Sequence, residues 1–154
     1  MSGTRDKGRA WFERVMGAPA PASPPDPFVA ATLDHLFAAV WARPGLSVRD
    51  RRLVTLALLI QRGNEGVLRI HLDAAMRQQQ LTDVELDELI LHVAHYAGWP
   101  GAAVASQIVR QLRAEAADSQ QPSAERRPGA ARRTRRPAAG RPTKPGKQRP
   151  ADGR

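Results

Sequence analysis

The sequence predicts an all-α protein, because apolar residues recur at helical spacing and helix caps or breakers punctuate the pattern. The usual signals of β-structure, a hairpin dipeptide or a sustained alternation of apolar and polar residues, do not occur. The chain contains no cysteine, which excludes disulfides, thiolate metal sites and a cysteine nucleophile. We therefore expect one compact domain of about five to six helices.

The first predicted helix follows a proline-rich linker. Five prolines between residues 19 and 27 stiffen the chain after a short N-terminal segment, and a helical period then runs over residues 28–41. One side of this helix carries Phe28, Leu33, Leu36, Phe37 and Val40. The Arg43-Pro44-Gly45 sequence ends it.

The second predicted helix spans about residues 48–62. Ser47 followed by Asp50 resembles a capping box at its start, and Gly63 provides its end. Because residues 53–60 are apolar nearly all round, the pattern predicts that this helix is the central, buried one.

Three capping and breaking signals divide the rest of the domain. A third helix is expected over residues 65–80, and Thr82 with Glu85 forms a cleaner capping box that opens a fourth. Gly98 stops the fourth helix, and Pro100 can begin a fifth that reaches about residue 117. The predicted core positions of the third and fourth helices are Leu68, Leu72, Ala75, Met76, Leu86, Leu89, Ile90, Val93 and Ala97.

The C-terminal segment, residues 119–154, differs sharply in composition. It holds eleven Lys or Arg and two Asp or Glu, which accounts for the whole net charge of +9, and it has no large apolar residue. We expect it to be disordered, because it cannot bury enough apolar surface to offset its ordering entropy. We expect a solvated extension without a partner; the alternative is that its arginines bind nucleic acid or another acidic partner, and then only nonspecifically. The predicted organisation is therefore an N-terminal segment and linker over 1–27, a helical domain over 28–118 and a tail.

The longest apolar run is far shorter than the roughly 20 residues that cross a bilayer. The N-terminus also lacks the apolar stretch of a secretion signal, so we expect a cytoplasmic protein without membrane contact. The fourth and fifth helices carry more apolar residues than one compact face of each would use, which predicts a homo-oligomer. The surplus residues are Val84, Leu91, Val104, Ile108 and Val109.

Five segments, in order, resemble the carboxymuconolactone decarboxylase family. They are residues 8–17 (GRAWFERVMG), 40–46 (VWARPGL), 49–57 (RDRRLVTLA), 68–71 (LRIH) and 91–100 (LHVAHYAGWP). Together they span about residues 8–115. The resemblance implies the alkylhydroperoxidase D-like helical fold and assembly into homo-oligomers, often trimers or hexamers. It implies no cofactor.

For the decarboxylase branch, the resemblance implies conversion of 4-carboxymuconolactone to the 3-oxoadipate enol-lactone with loss of CO2, a step of aromatic-compound degradation. The related branch of thiol peroxidases uses a Cys-x-x-Cys pair, and the matching residues 64–67 (NEGV) contain no sulfur. Thiol peroxidase activity is therefore excluded.

Decarboxylation requires groups that neutralise carboxylates, stabilise an enolate and deliver a proton to carbon. His71 matches the family's histidine-bearing helix and is the candidate proton carrier, since imidazole titrates near neutral pH. The alternative is a histidine at the edge of the core that is merely hydrogen-bonded. The hydroxyl of Tyr96 is a second catalytic candidate, as a donor to the developing oxyanion.

The candidate substrate-binding residues are Arg43, Arg51, Arg52 and Trp41. A guanidinium group can grip a carboxylate with two hydrogen bonds, and an indole can wall a pocket. The alternative for each arginine is an ion pair within or between subunits, with Asp50, Asp34 or Glu65 as partner. Trp41 could equally be a core residue.

Two departures from the family pattern favour an alternative function. The family has an acidic residue where this chain has Ala39, and commonly a Glu where it has Val67. The two missing carboxylates would be the obvious partners of His71. A further difference is the loop over residues 78–80, which reads Gln-Gln-Gln where the family usually has Asn-Asn-Gly. The alternative is a retasked, non-catalytic oligomeric module of the same fold.

Glu88, His92 and His95 share one face of the fourth helix. A divalent cation could use that face, but no fourth ligand is evident, so we expect a solvated polar stripe and no metal.

Overall fold

The computed structural model describes residues 2–22 and 26–120, and it confirms the all-α class. This part of the chain forms six α-helices and one π-helical segment, with no strand among them. The α-helices are α1 (Ser2–Met16), α2 (Pro27–Ala31), α3 (Val48–Arg62), α4 (Glu65–Arg77), α5 (Asp83–Ala97) and α6 (Trp99–Gln120). The π-helical segment, Thr32–Trp41, continues α2 directly. Of the tail for which we expected disorder, residues 119–120 belong to α6, and the remainder lies outside the described residues.

Short polar side chains begin four of these helices. Asp26 and Ser47 accept hydrogen bonds from the backbone N–H groups of Val29, at 2.9 Å, and Asp50, at 3.0 Å. Asn64 caps α4 in the same way. The predicted capping box of α5 is confirmed in both directions, since Thr82 and Glu85 each accept from the other's backbone.

The structure buries apolar side chains in two clusters. The larger cluster lies among α3, α4, α5 and α6 and is built on residues such as Leu56, Leu72 and Leu86. The smaller cluster joins α1 to the π-helical segment and α4, through Val15, Met16, Phe37, Trp41 and Ala74. The N-terminal segment that precedes residue 28 therefore forms a helix that packs into the domain.

Several predicted details are wrong, each because packing decides them. The prediction that α3 is buried on all sides fails, since Val54 and Leu58 are each 56% exposed. The helix packs through one face only, on which Arg52, Leu56 and Ile60 recur every fourth residue.

The α4 and α6 boundaries also differ from the prediction. Helix α4 ends at Arg77 because Gln79 takes a left-handed conformation, with φ of 51°, without the glycine that usually favours it. Helix α6 extends three residues beyond the predicted end. Its Ile108 and Val109, which we assigned to surplus surface, are buried in the larger cluster.

Within the described residues, no helix combines the length and the apolar character that a membrane span would need.

Candidate active site

Trp41, the last residue of the π-helical segment, forms the centre of the candidate site. Its indole is 5% exposed, and it stacks on Phe37 with ring centroids 6.4 Å apart. The guanidinium of Arg52 lies over the same indole, 5.4 Å from the ring centroid. A cation in this position is attracted to the negative face of the ring. The structure therefore brings together two of the predicted site residues.

Arg52 is fully buried and is held by three residues. Its Nε donates to Gln80 Oε1 at 2.8 Å, its Nη2 donates to the Val15 carbonyl at 2.5 Å, and its Nη1 donates to Nδ1 of His71. Burial lowers the pKa of Arg52 to about 10, so the guanidinium remains charged at pH 7. Within the described residues no carboxylate lies within ion-pair distance of it. Buried charges are usually paired, so this uncompensated cation favours an anion nearby.

His71, half-buried on α4, is the predicted proton carrier, and its surroundings disfavour the protonated form of the ring. Burial, and then the charge of Arg52, lower the pKa of His71 to about 4. Both effects disfavour the protonated ring. The imidazole is therefore neutral at pH 7.

Arg51 and Trp41 both line a small pocket, whereas the next residue of α3, Arg52, is buried in the core. The pocket has a volume of about 200 Å³. Its lining residues are Leu36, Val40, Trp41, Leu46, Arg51, Val54 and Thr55. Arg51 Nη2 donates to the carbonyl of Arg43 at 3.1 Å. Its Nε is buried and has no hydrogen-bond partner among the described residues. A guanidinium group that lines a largely apolar pocket, with one N–H still without a partner, suits a carboxylate ligand.

Among the described residues, no ion pair joins the candidate arginines to Asp34, Asp50 or Glu65. Asp34 binds Arg5 through two bonds of 2.6 Å, and Asp50 accepts from Ser47 at 2.7 Å and lies 3.7 Å from Arg49. Arg43 is exposed and contributes its backbone carbonyl to the pocket arginine.

Tyr96 is not brought to this site within the protomer. It is 83% exposed near the end of α5, where its ring lies 4.7 Å from that of His92. The nearby His95 directs Nδ1 to the carbonyl of Leu91 at 2.8 Å. No three His, Cys, Asp or Glu side chains in the described ranges cluster as metal ligands.

Sequence analysis missed three groups that shape the site. Thr55 follows Arg51 by four residues, a spacing that could have placed it on the same helix face. Gln80 and the carbonyl of Val15 carried no signal, because they reach Arg52 from positions 28 and 37 residues away in the chain.

Comparison with known proteins identifies the fold that carries this site. Residues 26–111, more than half of the chain, match the sequence profile of the carboxymuconolactone decarboxylase family. The chain is 44% identical over 73 residues to a 4-carboxymuconolactone decarboxylase of Acinetobacter baylyi, which is 47% of this chain and 54% of that protein. It is 38% identical over 72 residues to a nitrosuccinic acid decarboxylase of Metarhizium robertsii, which is 47% of this chain and 49% of that protein. The chain thus matches about half the length of these curated relatives.

The matched region contains the whole arrangement around Trp41 apart from the Val15 carbonyl, that is, Arg51, Arg52, His71 and Gln80. The family-level resemblance seen in the sequence is therefore confirmed: the chain belongs to the carboxymuconolactone decarboxylase family.

Proposed function

We propose that this protein is a decarboxylase that releases CO2 from a small carboxylic acid in the Arg51 pocket. The observation that carries the proposal is the pair of consecutive arginines around Trp41, neither of which has a carboxylate partner in the described residues. Such a site is positively charged and apolar, which fits a small organic anion. The two decarboxylase relatives support the same reaction type.

The substrate class follows from the chemistry of carbon–carbon cleavage. When CO2 leaves, the electron pair of the broken bond must be taken up by an adjacent electron-withdrawing group, a conjugated carbonyl in a lactone acid such as 4-carboxymuconolactone. Fixed positive charge in a low-dielectric site stabilises that developing anion. In this proposal the guanidinium group of Arg51, which lines the pocket, binds a substrate carboxylate. The positive charge of Arg52, which lies over the Trp41 ring, adds to the positive potential of the site.

The pocket walls suggest why the active form would be an oligomer. Leu36, Val40, Leu46 and Val54 line the pocket and are each 44–56% exposed, so one protomer leaves the pocket open to water. A second copy seated on this face would enclose the substrate and strengthen the electrostatic effect of the arginines. Discrimination among substrates would then depend on residues of both copies.

The test is CO2 release by the purified full chain from 4-carboxymuconolactone and, separately, from nitrosuccinic acid. We expect turnover of at least one acid, with its decarboxylated product identified by mass spectrometry. Arg51→Gln should lower kcat/KM by about 10- to 100-fold, because a charged hydrogen bond contributes roughly 1.5–3 kcal/mol. Arg69→Gln is the matched control, since Arg69 pairs on the surface with Glu115 at 2.6 Å.

Two outcomes would contradict the proposal. A folded wild-type protein that releases no CO2 from either acid would favour the non-catalytic module instead. Equal kcat/KM values for Arg51→Gln and Arg69→Gln would remove the Arg51 pocket from the reaction.

A further inference from the structure

We propose that Arg52 is a positioning residue that fixes the neutral ring of His71 in one tautomer, with the proton on Nε2 and a lone pair on Nδ1. The structure shows the contact from which this follows, a hydrogen bond between Arg52 Nη1 and His71 Nδ1. A guanidinium group has five N–H donors and no acceptor. Nδ1 must therefore be the acceptor, and the ring proton must be on Nε2.

The contact cannot easily rearrange, because Arg52 is itself held from several directions. Gln80 and the carbonyl of Val15 accept hydrogen bonds from its other nitrogens, and the Trp41 ring covers the guanidinium. Gln80 Nε2 also donates to the Val15 carbonyl at 3.3 Å, which closes the network. A side chain fixed in this way presents its donor to His71 in one orientation.

Other charged groups near His71 are occupied elsewhere. On α4 itself, Asp73 pairs with Arg77 at 2.7 Å. Towards α6, Arg69 pairs with Glu115 at 2.6 Å. From α1, the polar group that reaches this region is the Val15 carbonyl, and it binds Arg52. Arg52 is thus the charged group that decides the state of the ring, and its charge and the ring's burial both oppose protonation.

The second ring nitrogen remains available. His71 Nε2 has no hydrogen-bond partner among the described residues. It is also not fully buried, because Arg51 Nε is the one side-chain nitrogen or oxygen of these residues that is both buried and without a partner. At neutral pH His71 therefore offers a ligand an N–H donor, not a second proton. Loss of Arg52 would allow the ring to offer either nitrogen.

One consequence rests on the proposed function. As CO2 leaves, the electrons of the broken carbon–carbon bond pass to a substrate oxygen, and a neutral His71 has no second proton to give to the carbon. His71 keeps its proton in this step, and the carbon is protonated by water. Turnover should then show no inflection near pH 6.5, the ordinary pKa of histidine.

The deciding experiment needs no substrate. Long-range proton–nitrogen NMR of the full, nitrogen-15-labelled chain at pH 7 reports which ring nitrogens of each histidine carry a proton. We expect His71, identified by the signal lost in His71→Gln, to show an unprotonated Nδ1 and a protonated Nε2. A proton on Nδ1 of the wild-type protein, or signals averaged between both tautomers, would by itself overturn the inference.

A pair of variants tests the part played by Arg52. Arg52→Met should give averaged tautomer signals and move the pKa of His71 back towards 6.5, whereas Arg69→Met should leave the ring as in the wild type. An unchanged tautomer in a folded Arg52→Met protein would overturn the positioning role. The result is independent of activity: a single Nε2–H tautomer in a protein that releases no CO2 would support this inference and contradict the proposed function.

Discussion

The guanidinium of Arg52 lies 5.4 Å from the centroid of the Trp41 ring, and the same ring lines the pocket that contains Arg51. Consecutive residues of an α-helix point about 100° apart, so two neighbouring arginines of α3 can flank one aromatic side chain. Trp41 therefore connects a fully buried cation, which binds His71, with a cation that faces a ligand-sized pocket. The arrangement makes Trp41 important for stability as well as for the site.

Replacing Trp41 by alanine should lower the free energy of unfolding by about 3–5 kcal/mol, the usual cost of removing a buried aromatic side chain. Trp99→Ala is the matched control, because Trp99 is 65% exposed and its removal should cost much less in the protomer. Urea unfolding followed by circular dichroism measures both. Equal losses in the two variants would show that Trp41 is not the core residue that the structure describes.

The pKa of His71 predicts a specific loss of stability in mild acid. Its value is about 4 in the folded protein and about 6.5 in the unfolded chain, so the unfolded state takes up a proton first as the pH falls. This contribution to stability is complete above pH 6.5 and is lost between about pH 6.5 and 4. Between pH 7 and 5 the loss should be on the order of 1–2 kcal/mol.

The measurement compares urea midpoints of wild type, His71→Gln and His92→Gln at pH 7 and pH 5. His92 is exposed, so its variant should keep the wild-type loss, whereas His71→Gln should lose less stability over the same interval. A pH dependence that is the same in all three proteins would contradict the lowered pKa.

Close packing of α1 against the π-helical segment makes Gly8 sensitive to substitution. A Cβ atom at Gly8 would lie 2.2 Å from the backbone carbonyl oxygen of Leu33, a distance that the backbone can relieve only by moving. We expect Gly8→Ala to cost about 1–3 kcal/mol and to lower the melting temperature by several degrees.

Gly3, in the same helix, provides the control. A Cβ atom there meets nothing within 4 Å, so Gly3→Ala should leave stability unchanged or slightly increased, because alanine favours helix. A Gly8→Ala protein that melts at or above the temperature of Gly3→Ala would mean that α1 does not pack as described.

The exposed apolar face around the pocket predicts self-association. Val54 and Leu58 lie one helical turn apart on α3 and are both more than half exposed, beside the exposed pocket walls. Light scattering at micromolar concentration should give a multiple of the protomer mass, and Leu58→Lys should reduce it. Gln107→Lys, on an exposed position of α6, should not. A monomeric wild-type protein would refute the prediction.

The fold could be predicted from sequence wherever local interactions determine it. Ser47 and the pair of Thr82 and Glu85 bond to backbone groups within three residues, so their capping roles are visible in the sequence. The helical spacing of Leu86, Ile90 and Val93 likewise indicated the buried face of α5. The ordered motifs also identified the family correctly.

The candidate site could be predicted only in part. Sequence selected Trp41, Arg51, Arg52 and His71, because their residue types and family-matched positions suit an anionic substrate. In the structure Arg51 and Arg52 both lie near Trp41, and His71 is bonded to Arg52. It also suggested Tyr96, which the protomer places on an exposed surface beside His92.

Sequence alone determined the residue types, the helix ends and the helical periods, since each depends on neighbours within a few positions. Only the tertiary structure decided that Arg52 is buried, that its bond to His71 sets the ring's proton, and that Val54 and Leu58 of α3 remain exposed. These properties depend on Val15, Gln80 and the helices that cover one face of α3, which lie far away in the chain. Burial and pKa are set by whatever folding brings into contact, and a local pattern does not contain that information.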